Sequence, residues 1–314
     1  MTPETITAMV NEAARRTITR AKPYDEFDRP VMLAIDITYV AYYGNRDEMI
    51  HVQGAPKDKE YDWCHKFATA NIVGDNVHFT VAMLPVGNAH YHDPDAYSRG
   101  DASYRVGDVV RQLIDRVSDL VSIRRVYADR EFYAADVITT LEERRLKYVI
   151  PVPMRDRLKI DLERMPDDQV SVKQEYGLYG PLKHGSSRER VETTLVVLPP
   201  DENRDEIQPF ATNIEVDNTT GVDRRSAKRR INRYQSRGAI ETAYKKTKEF
   251  AAWTTSKEFE IRLFHFGFAV LLYNMWLLVD FLVQVSVEGE VRSKPRITAG
   301  RLRGFLDRRV SALL

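Results

Sequence analysis

Apolar and β-branched runs separated by turn residues dominate the first part of the chain. The stretch "VMLAIDITYVAYYG" (31–44) predicts a strand, and "CHKFATANIV" (64–73) and "NVHFTVAMLPV" (76–86) predict two more. Because no helical pattern separates these three runs, they favour an antiparallel meander.

The period of the pattern then changes. Within "YRVGDVVRQLIDRVSDLV" the apolar side chains recur at helical spacing. They are Val109, Val110, Leu113, Ile114, Val117 and Leu120. "IRRVYADREF" predicts a short strand that ends in a polar turn, "AADVITTLEERRL" a second helix, and "KYVIPVP" another strand. The order β-β-β-α-β-α-β indicates an α/β protein with a mixed sheet flanked by helices.

The second half of the chain divides into a polar segment and a helical one. Residues 154–205 are turn-rich but contain the strand-like pieces "VSVKQEY" and "VETTLVVLP", so we expect a β-rich insertion there. After the strand-like "PFATNIEV" (209–216), helices are predicted at about 223–232, 235–250, 257–286 and 298–312. We therefore expect an N-terminal helical segment (1–29), an α/β domain (30–153 and 206–286), the insertion (154–205) and a basic C-terminal helical tail (287–314).

One predicted helix has the length of a membrane span. "IRLFHFGFAVLLYNMWLLVDFLVQV" (261–285) could cross a bilayer. It carries Arg262, His265, Asn274 and Asp280, which are costly in lipid, so a buried core helix fits better. A membrane-associated protein is the alternative.

The amino-acid composition limits the possible classes of protein but does not indicate a function. A chain of 314 residues with 43% hydrophobic residues can bury a sizeable core. The lone Cys64 excludes a disulfide framework and favours a reducing compartment, and the N-terminal residues predict no signal peptide. The net charge of +1 is uninformative as a whole.

Three carboxylates interrupt patterns in which they are unexpected. Asp36 lies inside the first apolar strand, Asp129 ends the strand of "VYADREF", and Glu241 lies on a late predicted helix. Taken singly, Asp36 could face water on an edge strand and Asp129 could be a helix N-cap. If the three converge, they supply the oxygen ligands that two hard divalent cations need for phosphoryl transfer.

Basic residues surround the third of these acids. Residues 222–248 hold ten Lys or Arg against two acids, a net of 10 − 2 = +8, which is the charge that nucleic-acid phosphates attract. On a helical wheel Tyr234, Arg237, Glu241 and Lys248 fall within an arc of roughly 60°. Lys245 adjoins this stripe, and Arg230 and Arg233 precede it. The alternative is an ordinary solvated helix face.

A different metal site is possible in principle. "NAHYHDPD" offers His90, His92, Asp93 and Asp95 as zinc ligands, although a polar loop explains that spacing as well. Cys64 and His65 have no partner motif, and we expect them to be structural.

The spacing Tyr234-x2-Arg237-x3-Glu241-x6-Lys248 resembles the Y-R-E-K signature of insertion-sequence DDE transposases of the cut-and-paste type. The chain also resembles, more loosely, an archaeal subgroup of that family. "LAIDITY" and "VYADREF" resemble that family's two Asp-bearing blocks, and "FHFGFAVLLYNMWLL" resembles its following apolar helix. The similar blocks span about residues 30–285.

The resemblance implies a ribonuclease-H-like catalytic domain with a β-rich insertion before the Glu helix. It implies that Asp36, Asp129 and Glu241 hold two Mg²⁺ or Mn²⁺ ions. Tyr234, Arg237 and Lys248, with Lys245, Arg230 and Arg233 nearby, would bind DNA phosphates. The implied activity is cutting of element ends and joining of 3′ hydroxyls to target DNA, by a homodimer on DNA, in the cytoplasm at the nucleoid.

Two departures from the family pattern keep other functions open. Only 35 residues precede Asp36, which is short for a region that recognises element ends. The tryptophans Trp63, Trp253 and Trp276 lie outside the insertion, where some relatives stack a flipped base; Tyr176 or Tyr179 could stack instead. The alternatives are a ribonuclease-H-like nuclease without strand transfer, or a truncated, inactive DNA-binding relic.

Overall fold

A computed structural model describes most of the chain. The described residues are 1–24, 27, 29–46, 49–73, 78–87, 106–163, 169–180, 190–200, 206–215, 228, 231, 247, 249–251, 254–289, 291–292 and 294–311. The predicted helices at 223–232 and 235–250 therefore lie outside them, apart from a few positions.

The described elements are six α-helices and nine strands. The helices are α1 (Pro3–Ala21), α2 (Val106–Ser118), α3 (Ala135–Glu143), α4 (Asp156–Leu162), α5 (Phe259–Glu288) and α6 (Ala299–Ser311). The strands are β1 (Val31–Tyr42), β2 (Gln53–Gly54), β3 (Trp63–Val73), β4 (Thr80–Val86), β5 (Ile123–Ala128), β6 (Tyr148–Pro151), β7 (Ser171–Tyr179), β8 (Arg190–Leu198) and β9 (Gln208–Thr212). The predicted mixed sheet flanked by helices is confirmed.

All nine strands of the described residues belong to one sheet, in the order β2-β3-β1-β5-β6-β9-β8-β7, with β4 also paired to β3. The contacts of β3 with β1 and β4 are antiparallel, which is the expected meander, whereas β5 and β6 join in parallel. Strand β1 is thus an interior strand with an antiparallel neighbour on one side and a parallel neighbour on the other.

Alternation along β1 separates two packing surfaces. Leu33, Ile35 and Ile37 belong to the large core that includes the apolar faces of α2 and α3. Ala34, on the other surface, belongs to a smaller cluster with Tyr127. We call this second surface, to which Asp36 also belongs by parity, the even face of β1.

Helices α1 and α5 cover the outer edge of β4. Asn11 pairs with the backbone of Met83, donating to its carbonyl at 3.0 Å and accepting from its N–H at 2.8 Å. Asn274 makes the same pair of bonds to Thr80, at 2.7 and 3.0 Å. These side-chain amides satisfy backbone groups that an open sheet edge would expose.

The strands predicted as an insertion continue the main sheet. β9 pairs with β6, β8 pairs with β9, and β7 pairs with β8, all antiparallel. The division of the chain into domains stays a prediction. The two strands of the predicted insertion, β7 and β8, belong to the same sheet as the strands of the predicted α/β domain.

Among the described residues, one helix, α5, is long and apolar enough to cross a membrane. About half of its most apolar stretch is buried in the protein. Its polar side chains have partners within the protein. Asn274 binds β4 as described above, and Asp280 accepts hydrogen bonds from the backbone of Ile297 and from Gln284, both at 2.7 Å. These contacts are those of a helix packed in a protein interior.

Candidate active site

Asp36 lies near the middle of β1, opposite Thr69 of β3 and one residue past the end of the pairing with β5. Its residue is 6% exposed, and its Oδ1 accepts a hydrogen bond from the backbone of Ile37 at 2.9 Å. The alternative of a water-facing residue on an edge strand is therefore wrong. A carboxylate buried in an interior strand is costly unless a cation or hydrogen-bond donors balance it.

Asp129 follows the last residue of β5 and begins a 3₁₀ turn, Arg130–Phe132. Its backbone N–H donates to the carbonyl of Ile35 at 3.2 Å, and its Oδ1 accepts from the backbone of Arg130 at 2.6 Å. The N-cap alternative is thus realised. It coexists with a position directly beside the strand segment that carries Asp36.

The two acids share one face of the sheet. Ala34 and Tyr127 are register partners in the parallel pair β1–β5, and both belong to the even-face cluster. Asp36 and Asp129 are each two residues further along, so alternation places them on that same face. Two oxygen-donor side chains are therefore placed on one face, at the point where β5 ends and β1 continues.

The remaining predicted site residues lie outside the described part of the chain. They are Glu241, Tyr234, Arg237, Lys248, Lys245, Arg230 and Arg233, and the alternative ligands His90, His92, Asp93 and Asp95. Among the described residues, no group of three or more His, Cys, Asp or Glu is arranged to hold a metal ion. The described pair, Asp36 and Asp129, is two of the three predicted ligands.

Two described residues flank, in the sequence, the segment that contains Glu241. Ile231 belongs to the even-face cluster of Ala34, two residues before Asp36. Thr247 lines a cavity of about 400 Å³ together with Thr38, two residues after Asp36. Both residues therefore belong to packing groups that include residues of β1.

A second charged cluster, which sequence reasoning missed, lies behind the acids. Glu131 accepts a hydrogen bond from the Tyr39 hydroxyl on one oxygen, and Lys66 Nζ lies 3.1 Å from the other. The Lys66 ammonium also lies 5.3 Å from the centre of the Tyr39 ring. We call these three residues the Glu131 bridge. Tyr39 and Lys66 are register partners across β1 and β3, a pairing that the sequence alone does not reveal.

The electrostatics of the Glu131 bridge are coupled to both acids. Burial raises the pKa of Tyr39 well above its usual range, as do its bond to Glu131 and the negative charges of Glu131, Asp129 and Asp36. The phenol therefore stays protonated and remains a donor to Glu131.

A buried arginine fixes the start of α5 next to the site. Arg262 donates through Nε to His65 Nδ1 at 3.1 Å, and through its other nitrogens to the carbonyls of Ser256 and Ala41. Burial and the nearby Arg262 charge lower the pKa of His65 to about 3. His65 is therefore neutral, and both it and the buried Cys64 lie in the protein interior.

The sheet topology and the positions of the two acids define a class of protein. A mixed sheet begins with three antiparallel strands and continues with parallel β5 and β6. Asp36 lies within β1, and Asp129 directly follows its parallel neighbour β5. That is the ribonuclease-H-like fold, as the resemblance stated above implies. The chain belongs to the family described as the transposase DDE domain, whose model matches residues 33–275.

Structural comparison agrees with this assignment. The chain is similar to the piggyBac transposase in a structure described as its synaptic complex with hairpin DNA, with a TM-score of 0.53 and 13% sequence identity. The match covers 88% of this chain and 52% of that one, so the chain spans about half the length of that relative. No curated protein matches the chain significantly.

Proposed function

We propose that the protein is a DDE transposase that cuts DNA at element ends and joins the 3′ hydroxyls to target DNA. The observation that carries the proposal is the pairing of Asp36 with Asp129 on one face, at the centre of the sheet, in a chain of the transposase DDE family. Burial of a carboxylate is unfavourable unless hydrogen bonds or a cation balance its charge. A cation bound between the acids would offset that cost.

The described residues fit a divalent metal site. Members of this family generally use divalent metal ions, and carboxylate oxygens are the ligands that Mg²⁺ and Mn²⁺ prefer. Asp36 and Asp129 would hold two such ions with Glu241 as the third protein ligand. When bound, the ions supply activation of the attacking oxygen and stabilisation of the leaving oxygen in phosphoryl transfer.

Support for Glu241 comes from the ends of its segment. Ile231 belongs to the same cluster as Ala34, and Thr247 lines a cavity together with Thr38. Glu241 lies between these two residues in the sequence, and we propose that its segment passes Asp36. This is the arrangement expected if the signature helix lies across the even face.

DNA is the proposed partner. The +8 stretch 222–248 contains the proposed phosphate contacts Tyr234, Arg237, Lys245 and Lys248, with Arg230 and Arg233 ahead of them. The piggyBac relative is described in a synaptic complex with hairpin DNA. By analogy we propose a homodimer on DNA, in the cytoplasm at the nucleoid and not in a membrane.

The test uses the full chain and two kinds of DNA. Nicking of supercoiled plasmid is measured with Mg²⁺ or Mn²⁺ for the wild type, Asp36→Asn and Asp129→Asn. Removing a direct ligand should cost more than the roughly 10–100-fold typical of residues that only support a ligand, so we expect at least about a hundredfold loss. Asp161→Asn, which alters an ion pair with Lys173 on the α4–β7 side, is the control and should nick normally.

Strand joining separates the proposal from its alternatives. A pre-cut duplex carrying the DNA that flanks the gene is incubated with target plasmid. Joined products support a transposase, whereas nicking without joining supports a nuclease. Metal-independent DNA binding with no nicking supports the inactive relic. Full activity in Asp36→Asn would overturn the assignment of that residue.

A further inference from the structure

Glu131 connects the turn of Asp129 to two strands of the sheet. It lies two residues after Asp129, within the turn Arg130–Phe132, and its carboxylate meets Tyr39 of β1 and Lys66 of β3. The side chains of Lys66 and Glu131 are 16% and 29% exposed. An ion pair that is this shielded is screened by water less than a surface pair is.

The bridge lies on the side of β1 opposite to the acids. Asp36 and Tyr39 are three positions apart on one strand, so their side chains leave opposite faces. Both oxygens of Glu131 are engaged there, one by a hydroxyl and one by an ammonium. Glu131 is therefore held away from the even face, where Asp36 and Asp129 lie, and is not placed as a further ligand.

Three contacts bear on the orientation of the turn that carries Asp129. The backbone of Asp129 is bound to Ile35, Phe132 is fully buried in the large core, and Glu131 is bound through the bridge. The first two fix the two ends of the turn. The bridge fixes its middle and so limits rotation of the backbone that aims the Asp129 carboxylate.

We propose that Glu131 is a positioning residue for the metal site: held by Tyr39 and Lys66, it fixes the turn after β5 and so directs Asp129 toward Asp36. The inference rests on the proposed function, since it assigns Asp129 to a metal. It adds three residues, Tyr39, Lys66 and Glu131, to those on which metal affinity depends. Residues that orient a metal ligand commonly change affinity or activity by about 10–100-fold when mutated.

The decisive measurement is Mn²⁺ affinity without DNA. Free Mn²⁺ is followed by electron paramagnetic resonance while each protein is titrated. Glu131→Gln keeps the side-chain size but removes the charge that Lys66 and Tyr39 bind, and we expect its Mn²⁺ affinity to fall about tenfold. Asp161→Asn is a matched control, because Asp161 pairs with Lys173 at the same 3.1 Å distance. Its affinity should equal that of the wild type.

Two further variants keep the test informative if Glu131→Gln folds poorly. Tyr39→Phe removes one hydrogen bond and should weaken Mn²⁺ binding by a smaller factor. Lys66→Arg preserves the positive charge and should remain near the wild type. In nicking assays, the Mn²⁺ concentration for half-maximal rate should rise for Glu131→Gln, while the rate at saturating Mn²⁺ recovers substantially.

The outcomes separate this inference from the function on which it rests. If the wild type does not bind Mn²⁺, or Asp36→Asn binds it equally well, the proposed metal site fails and the inference fails with it. If Asp36→Asn loses binding but folded Glu131→Gln and Tyr39→Phe keep wild-type affinity, only the positioning role is overturned. A lower melting temperature with unchanged affinity likewise identifies a purely structural bridge.

Discussion

Asp36 shows how much one residue can indicate about function. It is an acid inside an apolar, β-branched run, and its strand is interior, so burial of its charge opposes folding unless something compensates. That conflict was visible in the sequence. Glu131 and Lys66 gave no such signal, because each is an ordinary charged residue until strand register and a turn bring them together.

His65 illustrates a buried residue whose role is structural. It accepts from Arg262 through Nδ1, so its proton lies on Nε2, which faces the carbonyl of Ile50 at 3.3 Å. Protonating Nδ1 would break the bond to Arg262 and place a second cation beside it. The neutral ring thus helps hold the first turn of α5 against β1 and β3.

The pH dependence of stability tests this account of His65. The pKa of His65 is lowered to about 3 in the folded protein, from an ordinary value of 6.5 that applies to the unfolded chain. Between these two pH values the unfolded chain therefore binds more protons than the folded one. The free energy of unfolding therefore falls as pH falls below about 6.5. Between pH 7 and pH 5 the contribution of His65 should be about 2 kcal/mol.

Urea unfolding at pH 7 and pH 5 measures that contribution. The wild type should lose about 2 kcal/mol more over this interval than His65→Gln, which cannot titrate there. His265→Gln, which alters a partly exposed histidine of α5, is the control. An equal loss in the wild type and His65→Gln would show that His65 titrates normally in the fold.

At the scale of elements, periodicity predicted most of what the structure shows. The strands β1, β3, β4, β5 and β6 and the helices α2, α3, α5 and α6 follow their sequence patterns closely. The two-residue β2, the 3₁₀ turn and the seven-residue α4 were missed, because such short pieces show no full period. The apolar pattern of α5 predicted that the helix is buried, but it did not predict that α5 packs against α1 and β4.

The contact between α1 and α5 depends on a glycine that the pattern did not single out. Gly267 faces Val10 so closely that a Cβ built on it would lie 2.5 Å from Val10 Cγ2. The same Cβ would lie 3.5 Å from Met83 Sδ, in ordinary contact with β4. The absence of a side chain at Gly267 therefore lets α1 pack closely on α5 and β4.

Gly267→Ala should push α1 and α5 apart and lower the stability of the fold. Val10 has a short, stiff side chain in a buried cluster, so the added methyl cannot be accommodated by a simple rotation. We expect destabilisation of about 1–3 kcal/mol, measured by chemical denaturation. Gly300→Ala in α6, where a Cβ meets nothing within 4 Å, is the control and should be neutral or stabilising. Equal stability of the two variants would contradict the close packing.

At the scale of the whole molecule, sequence reasoning reached the fold class through family resemblance as well as pattern. Strand order within a sheet is a property of long-range pairing, and no local pattern gives it. The continuation of the sheet through β9, β8 and β7 was for that reason not foreseen. The adjacency of Asp36 and Asp129, 93 positions apart (129 − 36), likewise depends on parallel pairing of β1 with β5.

The central claim is that three distant acids meet around divalent metal ions. Crystals of the full chain grown with Mn²⁺ and examined by anomalous scattering locate the ions directly. The account predicts Mn²⁺ within about 2.0–2.3 Å of carboxylate oxygens of Asp36, Asp129 and Glu241, as expected for oxygen ligands of a small divalent cation. Ions bound elsewhere, or Glu241 beyond coordinating reach of ions held by the two aspartates, would contradict it.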